Sequence, residues 1–591
     1  MRMRRARPML ALAGVAFALG AIFGAGHSGS RAYALADGFV RAWARGDYAA
    51  MYSDIDEASQ RSTSAGSFAS TYRHALITAT ATGVQVTGRP HGGAAGVVAV
   101  PVRVRTRLFG SLALSFAVRT VKGAEGLRVA WSRSLAFPGL RSGERLARHT
   151  TLPRRATLLA RDGSVLAESS PGGAATASTE AARSSPLGNF ASAVLGTVGP
   201  LPASRRQALE AQGVPADAAV GVSGLERTLD DRLRGTAGGA LLAKGVQPGL
   251  GRVLAYAAPR AAPPLHSTVS PALQRAAVLA LGGQLGGIVA MRPSTGQILA
   301  VAGIGLNGLQ PPGSTFKMVT LTGVLQAGIA NPRSTFPYAS STTLDGVRLN
   351  NANGENCGGS LELAFAVSCN SVFAPLGVKL GSQRLVEAAE GFGFNHDPGI
   401  EGASESTLPA AAQIQGELAI GSTAIGQGQV LATPLQMLVV AATIADGGRR
   451  PRPTAVLAGA QTAAGRVMSA AVARTVRRLM TGVVRAGTGT AAAIPGVVVA
   501  GKTGTAELKT ACSSAASESA PAEAAGGESG ERCQGGTSDP SNTDAWFAAF
   551  APAIHPRIAV CVMLVKDGAG GATAAPVARQ VLEAGLRAGS G

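Results

Sequence analysis

The first part of the chain changes from a helical to a strand-like pattern of apolar residues. Leu35, Phe39 and Trp43 recur at every fourth residue, which predicts one face of an amphipathic helix. Alternating runs follow on either side of Gly110, namely Val98, Val100, Val102 and Val104, then Leu112, Leu114, Phe116 and Val118. Apolar residues at every second position predict strands with one buried face. Helices followed by an antiparallel sheet predict a small α+β domain over residues 29–140.

The last part of the chain predicts a sheet whose strands come from distant positions. LHSTVSPALQRAAVLAL, from Leu265, is typical of a strand followed by a helix, and GGIVAMRPSTGQILAVAG of a hairpin that turns at Ser294–Gly296. A helical pattern starts at Ser314, and VVVAGKTGTAEL, DAWFAAFAP and IAVCVMLV predict strands near the C-terminus. Strands at both ends with helices between them predict an α/β domain over residues 263–591.

A further segment lies between these two parts. Residues 141–262 are rich in Gly, Ala and Ser around 169–190. Within the last part, residues 511–542 are rich in Ser, Ala, Glu and Gly, which predicts a mobile loop. Because 591 residues are too many for one hydrophobic core, we expect a multidomain protein.

The first 28 residues predict a membrane anchor. Arg2, Arg4, Arg5 and Arg7 precede Met9–Gly26, a run without charged residues that is just long enough to cross a bilayer as a helix. A basic flank before the run predicts a cytoplasmic N-terminus and an extracytoplasmic remainder, held in the cell membrane by a single pass. A cleaved signal peptide is the alternative, because small residues surround Ala25.

The composition of the chain limits which partners and cofactors are expected. A net charge of +20 suits nucleic acid, anionic lipid or an acidic wall polymer, or reflects an Arg-rich composition alone. No basic run is interleaved with aromatic residues, which are 4% of the chain, so a nucleic-acid partner is not expected. The five cysteines and seven histidines do not have metal-ligand spacing, and we predict neither a metal nor another cofactor.

A first chemical motif is PPGSTFK, which contains Ser314 and Lys317. Residues three apart share one face of a helix, so the lysine amine can reach the serine hydroxyl. A serine is a weak nucleophile without an adjacent base, and a desolvated lysine of lowered pKa can be that base. Pro311, Pro312 and Gly313 suit a sharp entry that leaves Ser314 at the helix N-terminus, where backbone N–H groups favour developing negative charge.

Two more motifs follow in the order that this chemistry needs. In Ser368-Cys369-Asn370, a second hydroxyl can relay a proton and an amide can hold a peptide bond. In the predicted strand with KTGT, Lys502 and Thr503 can bind a peptide carboxylate, and Gly504 leaves room for a substrate backbone. The N–H groups of Thr505 and Ser314 can form an oxyanion hole.

The choice of lysine over arginine supports these roles. Lysine occurs seven times among 54 basic residues, so 54 − 7 = 47 are arginines. At that frequency, two lysines at positions 317 and 502 have a chance probability of about one in sixty. Unlike arginine, lysine can lose a proton or act as a compact point charge.

The three motifs, in this order, resemble those of the penicillin-binding proteins and serine β-lactamases. AWARGDYAAMY and WSRSLAFPGL resemble the NTF2-like N-terminal domain of the methicillin-resistance (MecA) type. RRATLLARDGSVLA and GVSGLERTLDDRLRG resemble the pedestal, or dimerisation, module of class B penicillin-binding proteins, with Ala156 and Ala160 departing from the usual pattern. The resemblance implies an anchor over 1–28, an NTF2-like domain over 29–140, a pedestal over 141–262 and a transpeptidase domain over 263–591.

The resemblance also implies a serine-type D,D-transpeptidase. Ser314 would be the nucleophile, Lys317 its base and Ser368 the proton relay. Asn370, Lys502, Thr503 and Gly504 would bind the D-Ala-D-Ala end of a peptidoglycan stem peptide, and the N–H groups of Ser314 and Thr505 would form the oxyanion hole. β-Lactams would acylate the same serine. A separate glycosyltransferase would polymerise the glycan.

Three other functions stay open at this point. A β-lactamase needs a group that activates water, often in a Glu-x-x-Leu-Asn setting, whereas Glu417 is followed by LAIGS. A β-lactam sensor generally carries more membrane spans or a cytoplasmic domain. A D,D-carboxypeptidase differs only in that water, instead of an amine, attacks the acyl-enzyme.

The cysteines predict one disulfide and leave another open. Cys512 and Cys533 flank a polar stretch, and we predict that a disulfide between them restrains this loop. Cys357 can pair with Cys369 or remain free. Cys561 lies in an apolar strand and is expected to be a buried thiol.

Overall fold

The structure is a computed structural model and describes residues 30–92, 96–169, 183–245, 251–400, 402–457, 465–507 and 542–588. The predicted anchor, the loop over residues 511–542 (except its last residue) and the predicted Cys512–Cys533 pair therefore lie outside the described residues. Within the described ranges, no helix is both long and apolar enough to cross a membrane.

The N-terminal part has helices on one antiparallel sheet. Its elements are α1 (30–45), α2 (Tyr48–Asp54), α3 (Glu57–Ser62), α4 (Ala65–Thr78), β1 (Ala81–Val86), β2 (His91–Gly92), β3 (Val97–Thr106), β4 (Gly110–Gly123) and β5 (Gly126–Val129). The strand order is β1-β3-β4-β5, with β2 also paired to β3. Asp47, Asp56 and Ser64 cap α2, α3 and α4, since each side chain accepts a hydrogen bond from the first turn.

The predicted patterns form the core of this part. Phe39 and Trp43 of α1 are buried, and so are the four valines of β3 from Val98 to Val104. Trp43 packs edge-on against Phe116 of β4, with ring centroids 4.8 Å apart. The predicted helix, the two strands and the turn at Gly110 are confirmed.

The middle part divides between its two neighbours. Its elements are β6 (Arg145–Thr151), β7 (Leu158–Leu159), β8 (Val165–Ser169), β9 (Arg183–Ser184), α5 (Asn189–Leu195), β10 (Val198–Pro200), α6 (Ala203–Ala211), β11 (Ala219–Gly221), α7 (Gly224–Thr228), α8 (Asp230–Leu233), β12 (Gly238–Lys244) and β13 (Gly251–Ala257). The sheet β13-β12-β6 shares a core with the N-terminal part through Leu241 and Ala243. Leu158, Leu166 and other residues of β7, β8, α5 and α7 instead join the core of the C-terminal part.

A buried cluster of ions lies inside this middle part. Glu226 accepts hydrogen bonds from Arg155 and Arg183, both at 2.6 Å. Asp230 pairs with Arg155 at 2.8 Å and with Arg234 at 2.7 Å. Burial disfavours the charged form of Asp230, but the pKa of this carboxyl is still lowered, because Arg155 and Arg234 stabilise its charge. The segment that resembles a pedestal therefore has a paired polar interior.

The C-terminal part combines one sheet with many helices. Its elements are β14 (Leu265–His266), α9 (Pro271–Leu281), β15 (Gly286–Arg292), β16 (Gln297–Gly303), α10 (Lys317–Gln326), β17 (Thr335–Ala339), β18 (Ser341–Leu344), β19 (Val347–Asn350), β20 (Cys357–Ser360), α11 (Leu361–Ala366), α12 (Asn370–Leu380), α13 (Ser382–Phe392), α14 (Glu417–Ala424), α15 (Pro434–Ala445), β21 (Arg449–Arg450), β22 (Gly465–Arg466), α16 (Ala470–Ala486), β23 (Ala500–Glu507), β24 (Thr543–Ala551), β25 (Ile558–Leu564) and α17 (Ala574–Ala588).

The main sheet joins the two ends of this part, as the sequence predicts. Its order is β16-β15-β25-β24-β23, and its pairings are antiparallel. Residues of β24 and β25 are buried on both faces, because α17 covers one face of these strands and α15 packs on the other. This arrangement leaves β23 at the edge of the sheet, beside the turn that carries Ser314.

Candidate active site

Ser314 lies in a tight turn that is docked on the edge strand. Residues Gly313–Phe316 form a 3-10 turn that leads directly into α10. Gly313 has a φ of +49°, and a Cβ there would lie 2.6 Å from the Thr505 carbonyl oxygen. Only glycine allows this approach, so Gly313 sets the position of Ser314 against β23. The predicted helix N-terminus at Ser314 is observed as this 3-10 turn.

The second motif lies between α11 and α12, where the chain turns sharply. Ser368 has a φ of +63°, which is rare for a residue with a side chain. Cys369, the next residue, forms a disulfide with Cys357 of β20, so the pairing left open by the sequence exists. Cys561 is a buried free thiol, as predicted.

The third motif lies on β23, and its residues alternate between two faces. Lys502 is fully buried, whereas Thr503 and Thr505 line an open cavity. The structure corrects the reason given for Gly504. A Cβ at this position would lie 2.7 Å from the Pro312 carbonyl oxygen and 2.9 Å from Cγ2 of Thr315. The missing side chain makes room for the Ser314 turn and not for a substrate backbone.

The Lys317 amine is held by the second motif. Nζ donates to the Ser368 carbonyl oxygen and to Oδ1 of Asn370, both at 2.6 Å, and it lies 3.4 Å from Oγ of Ser368. Nδ2 of Asn370 donates to the Asn350 carbonyl oxygen at 2.9 Å, which orients the amide. The Ser314 hydroxyl is not among the hydrogen-bond partners of this amine, although the spacing predicts that the two groups meet.

Ser368 connects the two lysines. Nζ of Lys502 donates to Oγ of Ser368 at 2.8 Å and to the Thr503 carbonyl oxygen at 3.1 Å. A hydrogen bond of 2.6 Å joins the hydroxyls of Thr503 and Thr488. The three motifs therefore form one hydrogen-bonded chain, Lys317–Ser368–Lys502.

Burial sets the charge of both lysines. It lowers the pKa of Lys317 far below that of an exposed lysine, and repulsion from Lys502 lowers it further. Burial lowers the pKa of Lys502 to about 7. One amine in this site is thus suited to accept a proton, and the other is charged below about pH 7.

A cavity of about 530 Å³ opens in front of these groups. Ser314, Ser368, Asn370, Thr503 and Thr505 line it, so five of the eight predicted site residues share one surface. Lys317, Lys502 and Gly504 lie beneath that surface and are buried.

The cavity also has lining residues that the sequence analysis did not identify. The polar ones among them are Asn350, Glu355, Gln427, Thr488, Glu507 and Thr543. Burial raises the pKa of Glu507, which lies two residues beyond Thr505 on the same face of β23. A signal existed for Gln427, because it lies in GSTAIGQGQVLATPLQM (residues 421–437), which resembles the stretch between the second and third motifs of penicillin-binding proteins. Across the described residues, no group of three or more His, Cys, Asp or Glu side chains could hold a metal ion.

Three known families match the chain in succession. The NTF2-like N-terminal transpeptidase domain matches residues 31–144, and the penicillin-binding protein dimerisation domain matches 173–254. The penicillin binding protein transpeptidase domain matches residues 286–583.

Individual proteins are similar over long stretches. The peptidoglycan D,D-transpeptidase PbpA of Mycolicibacterium smegmatis is 34% identical over 393 residues, which are 55% of this chain and 73% of that protein. The peptidoglycan D,D-transpeptidase MrdA of Acinetobacter baumannii is 26% identical over 462 residues, 68% of this chain and 66% of that protein.

Solved structures are similar as well. The crystal structure of PBPA from Mycobacterium tuberculosis has a TM-score of 0.56 and 27% identity, and it covers 73% of this chain and 99% of that one. The penicillin G acyl-enzyme complex of penicillin-binding protein A from M. tuberculosis has a TM-score of 0.54 and 27% identity, with coverage of 73% and 99%.

Proposed function

Because this chain belongs to the penicillin-binding protein transpeptidases, we propose that it is a peptidoglycan D,D-transpeptidase with Ser314 as its nucleophile. One observation carries the assignment of residues. Ser314, Ser368 and Asn370 line the same cavity, and two buried amines meet at Ser368 directly beneath it. A serine with a neutral amine nearby suits acyl transfer without a histidine.

In the acylation step, Oγ of Ser314 attacks the penultimate carbonyl carbon of a D-Ala-D-Ala stem peptide. Lys317 takes the hydroxyl proton as the new C–O bond forms. The backbone N–H groups of Ser314 and Thr505 stabilise the oxyanion, and losing one such donor typically costs about 2.7–4 kcal/mol of transition-state stabilisation. Ser368 relays the proton to the nitrogen of the terminal D-Ala, which leaves as its C–N bond breaks.

The polar groups around the serine hold the substrate. Lys502 and Thr503 bind the terminal carboxylate, and Asn370 holds the donor peptide. An amine of a second stem peptide then attacks the ester carbonyl and forms the new C–N bond of the cross-link. The ester C–O bond breaks, and the amine proton passes to the Ser314 oxygen. A β-lactam presents its carboxylate and reactive carbonyl in the same positions and leaves a long-lived ester on Ser314.

Acylation by a fluorescent penicillin tests the nucleophile. We expect the exported part of the chain to be labelled and Ser314→Ala to be unlabelled, with an unchanged thermal transition. Ser382→Ala, at the start of α13 and outside the cavity, is the control and should label normally. Undiminished labelling of Ser314→Ala would overturn the assignment.

Product analysis separates transpeptidation from D,D-carboxypeptidase activity. Both reactions release D-Ala from a stem-peptide substrate, but only transpeptidation links two stems. We expect cross-linked product when a second stem peptide supplies an amine. Release of D-Ala without any cross-link, over a range of acceptor concentrations, would favour the carboxypeptidase.

The proposal also includes a location in the cell membrane and a glycosyltransferase as a partner. The basic residues before the uncharged run 9–26 support a single membrane pass with the catalytic part outside. The three matched families cover the N-terminal, dimerisation and transpeptidase parts, which supports a separate glycosyltransferase as the source of glycan. Co-purification with such a polymerase from membranes would test this partnership.

A further inference from the structure

A second polar cavity lies at the other end of the main sheet. Its volume is about 460 Å³. It is lined by residues from the turn after β7, the start of α9, the β15–β16 hairpin, the β24–β25 connection and the end of α17. Arg292 is at the end of β15, and Thr505 is on β23, three strands across the sheet. Along the strand direction, the two positions are offset by six residues. At usual strand spacings that is roughly 25 Å from the site of acyl transfer.

The charged side chains that line this cavity are all arginines. They are Arg161 from the middle part and Arg292 and Arg557 from the C-terminal part, accompanied by Ser270 and Ser294. Asp162, the residue after Arg161, does not line the cavity, and its carboxylate accepts hydrogen bonds from the amide and hydroxyl of Ser164.

Within the part of the chain that the structure describes, two of these arginines have no partner for their guanidinium groups. In the described ranges, no ion pair or side-chain hydrogen bond is found for Arg161 or Arg292, although both are half-buried. Burial lowers the pKa of Arg161, and repulsion from Arg292 lowers it further, against the opposing effect of Asp162. Two like charges that face one cavity raise the free energy of the empty site, and an anion between them would relieve this cost.

The remaining groups also favour an anion. Nη2 of Arg557 donates to the Leu586 carbonyl oxygen at 2.9 Å, which holds this side chain against the end of α17. Ser270 is the N-cap residue of α9, an 11-residue helix, so the positive end of that helix dipole points toward the cavity. Guanidinium groups form bidentate hydrogen bonds with phosphate oxygens. Three guanidinium groups around one cavity therefore suit the binding of a single dianion.

We propose that this three-arginine cavity is a binding site for a phosphate group, formed where the middle part meets the C-terminal part. The chemistry fits inorganic phosphate, pyrophosphate or the phosphodiester headgroup of an anionic lipid. None of its lining residues lines the acyl-transfer cavity, so the site is separate from catalysis.

Calorimetry on the full chain in detergent tests the site with three probes: inorganic phosphate, pyrophosphate and glycerophosphoglycerol, a deacylated lipid headgroup. We expect one binding site for at least one probe and a loss of affinity of at least tenfold in Arg161→Ala/Arg292→Ala. Preference for pyrophosphate or phosphate would identify a free anion as the ligand. Preference for glycerophosphoglycerol would identify a lipid headgroup.

The matched control is Arg474→Ala/Arg478→Ala, which removes the same charge from the exposed face of α16. It should bind like the unmodified chain. Both double variants should be labelled by fluorescent penicillin at the normal rate, which verifies folding. Absence of binding for all three probes, or an equal loss of affinity in the control, would overturn the proposal.

Discussion

At the scale of single residues, the chemistry depends on two buried lysines in different charge states. A neutral Lys317 amine has two N–H groups, and the Ser368 carbonyl and Asn370 amide oxygens accept them at 2.6 Å. Its lone pair then remains available for the Ser314 proton. Lys502, whose pKa is about 7, is mostly protonated in mildly acidic solution and can attract a carboxylate. The proposed mechanism thus needs one lysine without a proton and one with it.

We predict that Lys317→Arg acylates with penicillin orders of magnitude more slowly, because a guanidinium cannot act as a base at working pH. In the unmodified chain, the second-order acylation rate should rise with pH as Lys317 loses its proton and fall above about pH 7 as Lys502 loses its own. The rise should be absent in the variant. Stopped-flow labelling over pH 5–9 measures both, with Lys379→Arg on α12 as the control. A rate within about tenfold of normal, roughly 1.4 kcal/mol, would refute the general-base role.

The buried Lys502 lowers the stability of the folded chain, although the proposed function needs its charge. Its pKa is about 7 in the folded chain and near 10.5 when exposed, so between these pH values the unfolded state binds more protons. The stability contribution of Lys502 therefore increases as pH rises from about 7 toward 10, and the penalty for its burial is complete below 7.

We predict that Lys502→Met stabilises the transpeptidase part at pH 7 by a few kcal/mol, since each pKa unit corresponds to about 1.4 kcal/mol. The variant should nevertheless lose acylation activity. Thermal unfolding at pH 7 and pH 9 measures the change, and the gain should be smaller at pH 9. Lys379→Met, on an exposed lysine, is the control. A lower melting temperature for Lys502→Met at both pH values would contradict the prediction.

At the scale of single residues, the sequence predicts which side chains belong to the candidate site better than it predicts which residues they contact. The scarcity of lysine marks positions 317 and 502, and both amines are in the site. The real reason for Gly504 is not visible in the sequence, because it depends on Pro312, almost 200 residues away. The hydrogen bond between Thr488 and Thr503 is not visible in the sequence either, because it depends on the packing of α16 against β23.

At the scale of elements, the second motif is a turn fastened by a disulfide. Cys369, the residue just before α12, is bonded to Cys357 of β20, which precedes α11. The side chain of Asn351 reinforces the turn, because its Nδ2 donates to the carbonyl oxygens of Ala339 and Glu355. Ser368 lies within this fastened segment and holds its left-handed conformation there.

We predict that Cys357→Ser/Cys369→Ser is less stable by about 3 kcal/mol, the value typical for a closed loop of this size. It should also acylate more slowly, because Ser368 loses its restraint. Thermal unfolding with and without a reductant measures the effect. Reductant should destabilise the unmodified chain more than the double variant. An equal shift in both would indicate that other cysteines, such as Cys512 and Cys533, cause it.

The predictable elements are those with strong local patterns. The β15–β16 hairpin turns between Arg292 and Gln297, as predicted from Ser294–Gly296. The sequence does not predict the short strands β17 to β20, since strands of four or five residues show little periodicity. The ion cluster around Glu226 could not be predicted either, because Arg155 and Arg183 approach it from more than 40 residues away.

At the scale of the whole molecule, the order of the three parts was predictable and their contacts were not. Motifs mark each part along the sequence, but the middle part shares one core with the N-terminal part and another with the C-terminal part. Arg148 of β6 connects the parts directly. It donates to the Ile77 and Thr78 carbonyl oxygens at the end of α4, and to the Glu210 carbonyl oxygen in α6.

The last prediction concerns how this assembly reaches its substrate. Residues 9–26 would extend about 27 Å as a helix, close to the roughly 30 Å of a bilayer's hydrocarbon core. We predict that the full chain stays in the membrane fraction after a high-salt wash and that removal of residues 1–28 releases a soluble protein. The truncated protein should still be labelled by penicillin, because Ser314, the proposed nucleophile, and the other proposed site residues remain in it. A soluble exported chain that starts near residue 27 would show cleavage instead, and the catalytic part would then need another means of staying close to the wall.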